Sequence, residues 1–126
     1  MSRKSKAENA PIYREVESLY VWLSSFTART PKISSWEVLC VQMHSDVFHA
    51  LRIAEACLNS KDSAKKLEYM GLIAEDMNEV KAIFRLWCRL SEARLPRVVT
   101  PNQEAEFYER IMKIDNNLHN WRRSYS

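Results

Sequence analysis

Lys81, Arg85 and Arg89 stand four residues apart between Val80 and Leu90. On an α-helix that interval drifts slowly around the surface, so the three cations form a row about 12 Å long, enough to reach two phosphates. Arg94 and Arg97 follow in the next segment, and Arg122 and Arg123 close the last amphipathic stretch of the chain. A grouping of Lys81, Arg85, Arg89, Arg94, Arg97, Arg122 and Arg123 at neighbouring ends of two helices points to a surface that grips phosphate or an acidic partner by charge and shape. A plainer reading competes with it: a solvated helix face whose charges pair locally, with Glu92 as the candidate partner of Arg89.

The other chemistry in the chain is thinner. Asp46-x-x-His49 loosely matches the ligand spacing of metal sites inside helix bundles, with Glu75 and Glu79 as available companions. A working site needs a second motif of that kind, and the last helix offers only Asp115-x-x-x-His119, so neither metal nor cofactor is expected and His44, His49 and His119 read as surface or seam residues. Cys40, Cys57 and Cys88 occur singly, with no C-x-x-C pair, which fits reduced core or seam thiols. Cys88 lies between two arginines that could lower its thiol pKa, yet no histidine partner is identifiable. No serine sits in a glycine-rich elbow, and one glycine in 126 residues rules out a phosphate-cradling glycine loop. The chain reads as noncatalytic.

These side chains need elements to position them, and the composition favours helices. A length of 126 residues fits one domain, and a single glycine argues against a sheet-rich fold with many tight turns. The net charge of +3 and the pI near 8.8 are only mildly basic, so the distribution of charge matters more than its total. The longest uncharged run, Ser18 to Ala28, is shorter than the ~18 residues that suggest a membrane span, and a cytoplasmic protein without membrane contact is expected.

Residues 1–10 read as a disordered basic arm, carrying Arg3, Lys4 and Lys6 without apolar periodicity. Residues 11–126 then hold four helical patterns. Pro11 suits a first helical position, and Ile12, Val16, Leu19, Tyr20, Leu23 and Phe26 repeat at three and four until the chain nears Pro31. Ser34 and Glu37 form a candidate capping box for a second helix whose apolar stripe runs from Trp36 to Leu58. After the polar stretch Asn59 to Ser63, a third helix from about Ala64 to Ala93 carries Leu67, Met70, Ile73, Met77, Val80, Phe84 and Trp87. Gly71 lies inside it, where a close helix contact would explain the missing side chain. Thr100-Pro101-Asn102-Gln103 supplies cap, first-turn proline and capping box for a fourth helix with its seam at Phe107, Ile111, Ile114, Leu118, Trp121 and Tyr125.

Four amphipathic helices joined by short loops are best satisfied by an all-α, antiparallel up-down-up-down four-helix bundle. Trp87 and Trp121 fall on the seams and read as packing residues, with stacking on nucleic-acid bases the alternative use of a tryptophan. Trp22 reads as a surplus aromatic available to a subunit interface. No zinc finger, RNP motif or glycine-containing helix-turn-helix is present, so any nucleic-acid binding would lack a base-reading code.

One family resemblance gathers on these residues. The order Phe84-Arg85-Leu86-Trp87-Cys88-Arg89-Leu90, then Thr100-Pro101-Asn102-Gln103 and a last helix ending near Trp121, resembles the accessory variability determinant proteins of diversity-generating retroelements. Tyr20-Val21-Trp22-Leu23 and the Pro31-Lys32 turn extend the likeness more weakly upstream. The chain departs from it at His119-Asn120, where members commonly carry Gly-Gly or Gly-Ser before the tryptophan. The resemblance implies a four-helix bundle related to ribosomal RNA intervening-sequence proteins, assembled as a homopentamer. It further implies a noncatalytic partner of a reverse transcriptase and its structured RNA, with the family's arginine pair on Arg85 and Arg89. The alternative is a bundle adaptor whose basic face binds an acidic protein without nucleic acid.

Overall fold

The computed structural model describes residues 10–29, 34–93 and 99–125, without the side chains of residues 34 and 35. The expected arm thus lies outside the described residues except for Ala10, and so do Arg94, Arg97 and the Ser34 half of the Ser34–Glu37 capping box. The fold is all-α: α1 (Pro11–Ala28), α2 (Ser34–Asn59), α3 (Ser63–Glu92) and α4 (Pro101–Tyr125). Each helix packs on the next and α4 closes back on α1, while the diagonal pair α1 and α3 meets through aromatic side chains in the core. No helix among them is long and apolar enough to cross a membrane.

Local chemistry sets the helix starts. Ala10 caps α1 in extended conformation with Pro11 in the first turn, where its missing N–H costs nothing. Asp62 caps α3, its carboxylate accepting from the backbone N–H of Ala64 at 2.9 Å and of Lys65 at 3.5 Å, so α3 starts one residue before the sequence reading places it. At α4 the capping box is reciprocal: Gln103 N donates to Thr100 Oγ1 at 3.2 Å, and Thr100 N to Gln103 Oε1 at 2.9 Å. Arg122 and Arg123 occupy the last turn of α4, where cations complement the helix dipole.

The core follows the three-and-four spacing closely. Leu19, Leu23, Met43, Val47, Met70, Ile73, Met77, Val80, Phe84, Trp87, Phe107 and Ile114 are fully buried. One half of the bundle is aromatic. Phe84 stacks on Phe107 with ring centroids 3.8 Å apart, and Phe26, Trp22 and Tyr108 lie within 6.2 Å of Phe84. Trp87 meets Phe26 and Trp36 edge-on at 5.3 and 5.5 Å. Antiparallel register between α2 and α3 is written in their polar contacts: Gln42 reaches Glu79, His49 reaches Asp76, and Cys57 reaches Lys66.

Two packing expectations are corrected. Trp22 is not surplus. It stacks on Phe26 at 5.1 Å, donates its indole N–H to Glu106 at 2.8 Å and carries the Arg110 guanidinium 5.8 Å above its ring, all within the α1–α4 seam. Gly71 does not mark a close helix contact, because a Cβ built there meets nothing within 4 Å. Gly71→Ala should therefore raise stability by about 1 kcal/mol, seen as a higher urea midpoint at unchanged slope.

Candidate nucleic-acid interface

The rotation of α3 is fixed by its buried residues. Phe84, Trp87 and Ser91 point inward, so Arg85 and Arg89, one turn apart, are left on the solvent side with Leu86, itself 48% exposed. Neither arginine makes an ion pair or hydrogen bond among the described residues, and the anticipated Arg89–Glu92 pair is not formed. Unpaired guanidinium groups keep their full hydrogen-bonding fork for an anion.

Lys81 differs from its two companions. Its ammonium lies 2.9 Å from Asp115 Oδ2, tying α3 to α4 while both side chains remain partly exposed. The row thus divides into a cross-helix bridge at Lys81 and a free pair at Arg85 and Arg89. Just beyond the pair, the Val99 N–H donates to the buried Ser91 hydroxyl at 2.7 Å. That bond ties Val99, just before α4, to the last turn of α3.

The five described cations, Lys81, Arg85, Arg89, Arg122 and Arg123, do not form one cluster at neighbouring helix ends, and Arg94 and Arg97 lie outside the described residues. Arg122 and Arg123 line a cleft of about 430 Å³ with Leu67, Ala74, Leu118, His119 and the Lys81-paired Asp115, against the N-terminal half of α3. Ala74 and Arg85 are eleven residues apart, which is about 16 Å along the helix. The reason is topological: the Lys81–Asp115 and Phe84–Phe107 contacts run α4 against α3, carrying the α4 C-terminus away from Arg89. The second basic end has a member that the spacing argument missed. Lys66 sits 5.8 Å from the Tyr125 ring centre and donates to the Cys57 carbonyl at 2.9 Å. The adjacent pair Lys65-Lys66, directly after the Asp62 cap, was the available signal.

The residues weighed as metal ligands face one another across α2 and α3. Gln42 Nε2 donates to Asp46 Oδ1 at 3.0 Å and to Glu79 Oε1 at 3.3 Å, and His49 Nδ1 is 2.6 Å from Asp76 Oδ2. Asp46 is only 7% exposed, and its Oδ2 has no partner among the described residues. Burial pushes the Asp46 carboxyl up to about 6, Gln42 opposes this, and the charges of Glu79 and Asp76 add to it. Burial raises Asp76 as well, against the pull of its His49 bond. No group of three or more His, Cys, Asp or Glu side chains among the described residues is arranged to hold a metal. Asp115 is engaged by Lys81, and His119 lies in the second basic cleft.

His44 completes the polar interior. Its Nε2 is 3.0 Å from Thr27 Oγ1, Tyr20 meets its ring edge-on at 5.2 Å, and burial lowers its pKa. Cys57 is buried, its thiol pushed up to about 11, which makes it a packing group and not a nucleophile.

Fold and surface together describe a four-helix protein with an exposed, unpaired arginine pair at one end and a second basic cleft at the other. No family model, curated protein or solved structure matches the chain.

Proposed function

We propose that this protein is a noncatalytic accessory factor of a diversity-generating retroelement, binding the reverse transcriptase and its structured template RNA during mutagenic synthesis of complementary DNA. One observation carries the nucleic-acid part of this reading. Arg85 and Arg89 are exposed, one turn apart, and without an ion-pair partner among the described residues, held in place by the wholly buried Phe84 and Trp87. Phosphate oxygens are a chemically fitting acceptor for two such forks. The retroelement part rests on the sequence resemblance, which centres on the same arginines. With it comes the proposal of a cytoplasmic homopentamer, tested by mass measurement in solution.

The binding test uses a structured RNA hairpin and a salt series. Affinity should fall steeply with log salt, and the Arg85→Ala, Arg89→Ala double variant should bind at least roughly tenfold more weakly. Its log–log slope should flatten by about 1.4 to 1.8, the loss of two phosphate contacts. Salt-independent binding, or a double variant that binds like the parent, sinks the assignment. A partner captured equally well after nuclease treatment, with no RNA present, would give the surface to an acidic protein instead.

A further inference from the structure

The four tryptophans occupy different settings, and one has a free ring beside a cavity. Trp87 is fully buried, Trp36 nearly so, and Trp22 is locked between Phe26, Glu106 and Arg110. Trp121, in the last turns of α4, is half-buried and has no aromatic neighbour among the described residues. It lines a cavity of about 320 Å³ where the end of α4 meets the start of α1 and the end of α2.

The wall of that cavity has a definite chemistry. Pro11, Ile12 and Leu58 are apolar, and Trp121 adds an aromatic surface. Asn117 and Asn120 bring the polar groups, and neither amide side chain has a hydrogen-bond partner among the described residues. Each amide offers donors and an acceptor together, the pairing that a heterocycle with alternating ring nitrogens, carbonyls and amines presents along its edge. Among the described residues no charged side chain lines the space, so its wall favours a neutral ligand over a bare phosphate or carboxylate. The volume is at the small end of the range for ligand pockets, about 300 to 1,000 Å³.

We infer that this cavity receives one unpaired nucleobase, stacked on Trp121 and hydrogen-bonded at its edge by Asn117 and Asn120. The inference builds on the RNA-binding reading and deepens it. Phosphates are held by the arginines of the outer surface, and an extruded base is read separately at the opposite end from Arg89. Stacking tolerates any base, so discrimination falls to the two amides.

Adenosine, which has no phosphate, tests the cavity apart from the arginines. In a nitrogen–proton correlation spectrum, millimolar adenosine should shift the Trp121 indole resonance and leave the other three in place, at low and high salt alike. An RNA hairpin with one bulged adenosine should bind more tightly than the same hairpin without it. Trp121→Ala should remove that preference, a loss of about 5- to 100-fold on the bulged RNA. Asn120→Leu, which changes an exposed residue and leaves the ring in place, should remove part of it with circular dichroism unchanged.

A Trp121 resonance indifferent to adenosine overturns the inference, as does equal affinity for the two hairpins. So would Trp121 shifts that follow protein concentration and not adenosine, which would give the cavity to a second copy of the chain. The Arg85, Arg89 double variant separates the two readings. If it binds hairpins normally while adenosine still shifts Trp121, the phosphate assignment fails and the base pocket stands. If salt-dependent RNA binding persists without a bulge preference, the pocket fails alone.

Discussion

Asp46→Asn should stabilise the protein by about 3 kcal/mol at pH 8 and by only about 0.5 kcal/mol at pH 4. The carboxyl titrates near 6 in the folded protein against 3.8 in the unfolded chain, and one unit corresponds to about 1.4 kcal/mol. The sign follows from which state holds the proton. Below about pH 3 both states are protonated, and the buried neutral acid is comfortable between α2 and α3. Between 4 and 6 the unfolded chain releases its proton first, so the folded state loses stability as pH rises. Above about 7 a carboxylate sits buried beside Glu79 and Asp76 at full cost. Asparagine keeps the oxygen that accepts from Gln42 and carries no charge at any pH.

Urea midpoints at pH 4, 6 and 8 for parent and variant would measure this. A difference that does not grow between pH 4 and pH 8 contradicts the assignment. Using the difference matters, because other groups titrate in the same window. Burial raises Asp76, which acts with the same sign, whereas it lowers His44, which destabilises the fold as pH falls below its unfolded value. The His44 shift is common to parent and variant and cancels, whereas the Asp76 carboxylate repels that of Asp46, so relieving the repulsion adds to the difference with the same sign.

The second large effect belongs to Phe84. Phe84→Ala should cost about 3 to 5 kcal/mol, because it removes a fully buried ring and leaves a space that its rigid neighbours fill only partly. Its stacked partner Phe107 would lose the 3.8 Å contact, and Trp22, Phe26 and Tyr108 would lose one wall each. Phe84→Leu should cost much less, since most of the volume remains. Thermal unfolding of the two variants would rank them, and an alanine variant as stable as the leucine variant would show that α1, α3 and α4 collapse around the gap. Phe84 also sets the rotation of α3 that presents Arg85 and Arg89, so under the proposed function RNA affinity should decline with packing even where the helix persists.

Local features were readable from the residues alone. The reciprocal cap at Thr100 and Gln103, the proline start of α1 and the buried stripes of α3 and α4 each depend on residues within a turn or two of one another. What was not readable depends on which helix lies beside which. Lys81 meets Asp115 across 34 residues of sequence, so nothing in its own neighbourhood separates it from Arg85. The division of the cations into two ends has the same origin, because antiparallel neighbours place a late residue of α4 beside an early one of α3.

Two signals were present and under-read. Asp46 falls three residues after Met43 and four before Ala50, at the edge of the apolar stripe of α2, where a carboxylate should be expected to lose water. Trp22 precedes Phe26 by four residues, which already places the two rings on one side of α1. Gly71 was the reverse case. A missing side chain invites a close-packing explanation, and only the empty space around its Cβ position shows that packing does not require it.

The bond from the Val99 N–H to the buried Ser91 hydroxyl ties the start of α4 to the last turn of α3 at a point that water does not reach. A buried donor left without its acceptor costs about 1 to 3 kcal/mol, so the mutual placement of the last two helices is coupled to one hydroxyl group set inside an apolar core.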